Sequence, residues 1–146
     1  MLKPASKVEV LFEFCASADD VFDAWLDPDV LSQWMFDASR HDQTVVKIEI
    51  DPRPGAEFLF NILRFGRPIE FRGKYTCIEK PSRLAFTWRM SGDDNETYVS
   101  IQIEPTQSGC RLKLVHDLGR VSAKTADMAT SEWESELTSL FTVLKC

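Results

Sequence analysis

Seven short segments of this chain alternate apolar and polar residues, and most are joined by connectors too short for anything but a reversal of direction. Val8–Phe14 places Val8, Val10, Phe12 and Phe14 on one face and Glu9 and Glu13 on the other, the period-2 signature of a half-buried strand. Thr44–Ile50 sets Val46, Ile48 and Ile50 against Lys47 and Glu49, and Glu57–Leu63 aligns Phe58, Phe60 and Ile62. Ile69–Ile78 aligns Phe71, Gly73, Tyr75 and Cys77; Arg83–Met90 aligns Leu84, Phe86, Trp88 and Met90. Thr97–Glu104 contributes Val99, Ile101 and Ile103, and Gly109–Asp117 contributes Cys110, Leu112, Leu114 and His116. The links DPRPGA, FGRP, EKPS, SGDDN and PTQSG are rich in turn formers. A parallel crossover needs a dozen or more residues, so these strands are antiparallel neighbours.

A sheet dry on one face requires a cover. Trp133, Leu137, Leu140, Phe141 and Leu144 recur at helical spacing and supply it. Ser131 with Glu134 forms a capping box, so the helix starts near residue 131, or from about Ser122 if that signal is overridden. Asp127, Glu132, Glu134 and Glu136 read as a solvated acidic face.

Between the first two strands lies FDAWLDPDVLSQWMF, residues 22–36, apolar at helical spacing but broken by a proline. Ser17 and Asp20 start a short helix carrying Ala18, Val21, Phe22 and Trp25, running to about Leu26. Pro28 inside it would cost about 3 kcal/mol, whereas Pro28 at the first position of a new helix, with Asp27 as cap, costs nothing. A second short helix therefore carries Val30, Leu31, Trp34 and Met35 on one face.

The order and several runs resemble the START/Bet v 1-like (SRPBCC) helix-grip superfamily, and within it bacterial proteins similar to the C-terminal domain of the activator of heat-shock protein 90 ATPase. The runs are Phe22 to Trp34, with its Trp-x-Asp-Pro core; Asp51-Pro-Arg-Pro-Gly55; Gly73-Lys-Tyr-Thr-Cys-Ile-Glu-Lys-Pro-Ser-Arg-Leu84 leading to Thr87-Trp88; and Trp133-Glu-x-x-Leu137. The chain departs from the family pattern at Gly55-Ala56, Trp34-Met35 and Glu132-Trp133. The resemblance implies an α+β helix-grip fold: a curved antiparallel sheet of about seven strands, two short helices and a long C-terminal helix, with an apolar cavity in many relatives. It implies no single reaction, since relatives include lipid carriers, metabolite binders, aromatases and co-chaperone domains.

The length of 146 residues suits one domain spanning 1–146. A net charge of −6 without a Lys/Arg cluster argues against nucleic acid. No apolar run approaches the roughly 20 residues of a membrane span, and the N-terminus lacks the continuous apolar core of a secretory signal, so a cytoplasmic location is expected. Cys15, Cys77, Cys110 and Cys146 form no C-x-x-C pair and no cluster with His41 or His116; buried or incidental thiols are expected, with no metal. No phosphate loop, G-x-S-x-G elbow or H-E-x-x-H is present, and no cofactor is expected.

The candidate ligand-binding set is Trp25, Trp34, Phe60, Tyr75, Phe86, Trp88, His116, Trp133 and Leu137. The same inward pattern equally describes a filled core, because periodicity does not distinguish a packed interior from a hollow one. His116 fits a satisfied structural histidine, or, with Tyr75, a group orienting a ligand's polar end. Asp117 faces the opposite way, and Cys110 lies about 20 Å along the strand, so neither forms a catalytic pair with His116. Asp51 and Arg53 fit an ion pair shaping their turn, which turn chemistry favours, or a charge at a cavity mouth. The leading expectation is a binder of a small apolar or amphipathic molecule that does no chemistry. A chaperone-interaction module and a polyketide-cyclase-like enzyme are the alternatives, although the chain leaves no room for the co-chaperone's additional N-terminal domain.

Overall fold

The computed structural model describes residues 5–145. Its elements run β1 (Ala5–Phe14), α1 (Ala18–Asp23), α2 (Pro28–Trp34), α3 (Ala38–His41), β2 (Gln43–Ile50), β3 (Glu57–Arg64), β4 (Arg67–Glu79), β5 (Arg83–Met90), β6 (Thr97–Pro105), β7 (Cys110–Arg120) and α4 (Ala123–Val143). The seven strands form one antiparallel sheet in the order β1-β7-β6-β5-β4-β3-β2, so that the first strand pairs with the last and β1 and β2 are the edges. Among the described residues, no helix is long and apolar enough to cross a membrane.

The two short helices arise as their caps dictate. The Ser17 hydroxyl accepts from the Asp20 amide at 3.1 Å, and the Asp27 carboxylate accepts from the Asp29 amide at 3.0 Å with Pro28 in the first turn. The α1 helix ends at Asp23, slightly before the expected Leu26, and residues 24–26 turn the chain into α2. A third, one-turn helix, α3, was not expected; Asp37 caps it by accepting from the Ser39 amide at 2.9 Å. Four residues leave too little periodic signal to read.

The α4 helix takes the earlier of its two starts, capped by Ser122, whose hydroxyl accepts from the Thr125 amide at 3.1 Å. The capping box at Ser131 is overridden because Ala126 and Ala129 pack against the core and extend the apolar stripe backwards. Glu136 corrects the solvated acidic face: it is buried, because it lies three residues after Trp133 and four before Leu140 and so shares their stripe. Phe141 is 41% exposed, covering the sheet edge with its ring 6.2 Å from Phe12 and 6.3 Å from Phe14.

Of three register shifts in the sheet, one lies near the start of β1, between Ser6 and Lys7, and two change which residues of β2 and β4 face inward. The β2–β3 register slips between Val45 and Lys47, so Val45 opposes Ile62 on the dry face while Val46, expected inside, is 62% exposed. The β4–β5 register slips between Tyr75 and Cys77, which moves the inward position from Cys77 to Ile78, opposite Leu84. The Cys77 thiol instead donates to Glu79 at 3.2 Å. Bulges bend and twist a strand, and these two lie in the half of the sheet that carries most of the aromatic rings. Cys77 and Cys110 are free thiols, whereas Cys15 is disulfide-bonded, against the expectation of a thiol there. Cys146 and the His41 side chain lie outside the described residues.

Candidate ligand site

Three adjacent strands aim rings at one place. Phe58 and Phe60 of β3, Tyr75 of β4, and Phe86 and Trp88 of β5 form one wall; Trp25, from the turn after α1, and Leu31 and Met35, from α2 and its cap, form the other. Phe58 is central, with its ring 4.9 Å from Phe60, 5.2 Å from Tyr75 and 5.6 Å from Phe86. Its position depends on Gly73, the residue directly opposite on β4. A Cβ at Gly73 would sit 2.3 Å from the Phe58 ring and 2.0 Å from the Thr87 carbonyl oxygen, so only glycine allows ring and strand to approach this closely.

The space these side chains enclose is small. The cavity between them has a volume of about 10 Å³. That is close to the minimum for one water molecule. The interior is thus filled in this conformation, and the walls carry no charged group.

Of the nine residues expected to bind a ligand, Trp25, Phe60, Tyr75, Phe86 and Trp88 come together here. Trp34, His116, Trp133 and Leu137 do not line the space. Trp34 is completely buried beneath it, with its ring 4.7 Å from Trp25, and its indole N–H donates to the Ala24 carbonyl at 3.0 Å, which braces the α1–α2 corner. Leu137 is completely buried in the helix–sheet interface. Leu31, Met35 and Phe58 complete the walls; their signal was the helical stripe of α2 and the shared phase of Phe58 with Phe60.

His116 has a defined role of its own. It stands on β7 between Val8 of β1 and Val99 of β6. The Trp133 indole N–H donates to His116 Nδ1 at 3.0 Å, which leaves Nε2 as the protonated nitrogen of the neutral ring. Nε2–H then donates to the Thr97 hydroxyl at 2.8 Å, and that hydroxyl donates to the Trp88 carbonyl at 2.9 Å. The Trp133, His116 and Thr97 donors are all used, and α4 is tied to β7, β6 and β5. Burial lowers the His116 pKa to about 4, with Asp117 opposing the shift. Burial also pushes the Tyr75 hydroxyl well above its ordinary value, so it stays neutral. Asp51 and Arg53 pair at their turn, Arg53 Nε donating at 2.8 Å, and this bond holds the Asp51 carboxyl below its usual range.

Trp25 differs from the other helix-side tryptophans. It is 3% exposed, and its indole N–H is the one buried side-chain polar group among the described residues without a hydrogen-bond partner.

A long C-terminal helix held against the dry face of a seven-stranded antiparallel sheet, with short helices between its first two strands, defines a helix-grip protein. Solved structures share this fold. Protein CV1439 from Chromobacterium violaceum aligns with a TM-score of 0.80 at 23% identity, over 93% of this chain and 95% of its own. A protein from Rhodobacter sphaeroides aligns with a TM-score of 0.80 at 23% identity, over 99% of this chain and 97% of its own. DynU16, a protein of the dynemicin biosynthetic locus, aligns with a TM-score of 0.79 at 20% identity, over 97% of this chain and 48% of its own. At these identities the likeness carries the fold alone. No curated protein matches the sequence. The family model described as activator of Hsp90 ATPase homolog 1-like protein matches residues 15–145, and the chain belongs to that family.

Proposed function

We propose that this protein binds a small, uncharged, apolar molecule between its sheet and α2 and performs no chemistry on it. The observation that carries this reading is the aromatic space itself: five rings from three neighbouring strands face Trp25, Leu31 and Met35 without a charged group among them. A ligand larger than a water must displace part of the wall. The α2 side is the movable part, because a seven-residue helix is marginal without its packing and Met35 is unbranched and adaptable. Binding then selects an arrangement in which α2 stands further from β3 and β5.

Two other readings follow from the family: contact with heat-shock protein 90, and cyclase-like catalysis. The second is disfavoured by His116, since both ring nitrogens are committed to structural partners. The test is incubation with a mixture of lipids and hydrophobic metabolites, followed by native mass spectrometry and thermal melting. The expected result is one retained small molecule and a raised melting temperature, by mass action on the folded state. A protein that retains nothing and melts unchanged throughout the mixture overturns the proposal.

A further inference from the structure

We infer that the Trp25 indole N–H is the polar anchor of this site, and that the ligand is an uncharged apolar molecule carrying a hydrogen-bond acceptor such as a carbonyl or ether oxygen. The inference rests on the ligand-binding reading above and adds the chemistry of what is bound.

Trp34 and Trp133, which pack 4.7 Å and 6.1 Å from Trp25, both donate to well-placed acceptors at 3.0 Å. Trp25 is as deeply buried and donates to nothing among the described residues. Burying a donor without a partner is unfavourable, and native structures hold few such groups. This one belongs to a residue that lines the aromatic space. An indole nitrogen only donates, so its missing partner must be an acceptor.

The rest of the wall narrows the class. No lysine, arginine or protonated histidine faces the space, so a carboxylate or phosphate would be buried without a counter-charge. A ligand cation would find no carboxylate and would meet an N–H dipole of the wrong sign. A single water would find at most the Trp25 N–H and the Tyr75 hydroxyl as partners, the low end of the two to four it needs, because every other residue of the wall is aromatic or aliphatic apart from the Met35 thioether. A neutral oxygen on an otherwise apolar frame satisfies the donor and leaves the remaining surface in contact with rings.

The experiment compares indan-1-one with indane, two bicyclic probes of nearly the same shape that differ by one carbonyl. Dissociation constants are measured by titration for the wild-type protein and for Trp25→Phe, and the wild-type indole N–H proton of Trp25 is followed by NMR. The ratio of the indane constant to the indan-1-one constant is expected to fall about tenfold in Trp25→Phe, the size of one hydrogen bond. The Trp25 indole proton is expected to move downfield with indan-1-one and not with indane, a readout that needs no variant if Trp25→Phe fails to fold. An unchanged ratio, or an indole proton that stays in place while the ketone is bound, overturns the anchor and leaves ligand binding standing. Failure of both probes to bind up to their solubility limits overturns the anchor together with the ligand-binding reading.

Discussion

His116 illustrates how much of a residue's role depends on partners far away in sequence. Its phase on β7 was legible, since it alternates with Cys110, Leu112 and Leu114, and a satisfied structural histidine was one of its two readings. Its partners Thr97 and Trp133 lie 19 and 17 residues away and meet it only when β6 and α4 are in place. Protonating Nδ1 would set one donor against another, so the ring is held neutral. The unfolded chain takes up this proton near pH 6.5, whereas the folded chain does so only near pH 4. The His116 contribution to stability is therefore complete above about pH 6.5 and is lost as the pH falls toward 4. The loss amounts to about 3 kcal/mol. Denaturant unfolding of the wild type and His116→Gln across this window should show a smaller acid loss in the variant; parallel profiles would contradict the assignment.

At the scale of elements, the local signals were strong where one physical cause acts within a few residues. Asp27-Pro28 begins a helix because the proline fits only at a first turn, and the corner was readable from two residues. The bulges were not. An extra residue in β2 changes no composition and no turn former, yet it turns Val46 outward and Val45 inward. This difference is measurable: Val46→Lys should change stability by less than about 0.5 kcal/mol, as for an ordinary surface site. Ile62→Ala, opposite Val45, should cost about 2–5 kcal/mol. Equal losses at the two positions in chemical denaturation would mean that β2 keeps an unbroken alternation. The start of α4 shows the same limit, since two caps compete locally and packing by Ala126 and Ala129 selects Ser122.

At the scale of the whole molecule, α4 covers the dry face of the open sheet, and Leu137, completely buried, is one of the residues that hold it there. Leu137→Ala should cost about 2–5 kcal/mol and loosen the helix against β1 and α2. Hydrogen exchange should then show lost protection in α4 before the central strands; uniform loss would indicate that the helix and sheet unfold only together. The sequence by itself determined the α+β class, the antiparallel strands, the two capped helices and the inward phase of those strands that no bulge interrupts. Each of these follows from backbone geometry and side-chain periodicity over a few neighbouring positions. Only the tertiary structure decided that the aromatic space leaves barely room for one water, that His116 is committed to Trp133 and Thr97, and that among the described residues Trp25 is the one whose buried side-chain donor has no acceptor. Those outcomes depend on the separation and orientation of surfaces from distant parts of the chain, which periodicity does not encode.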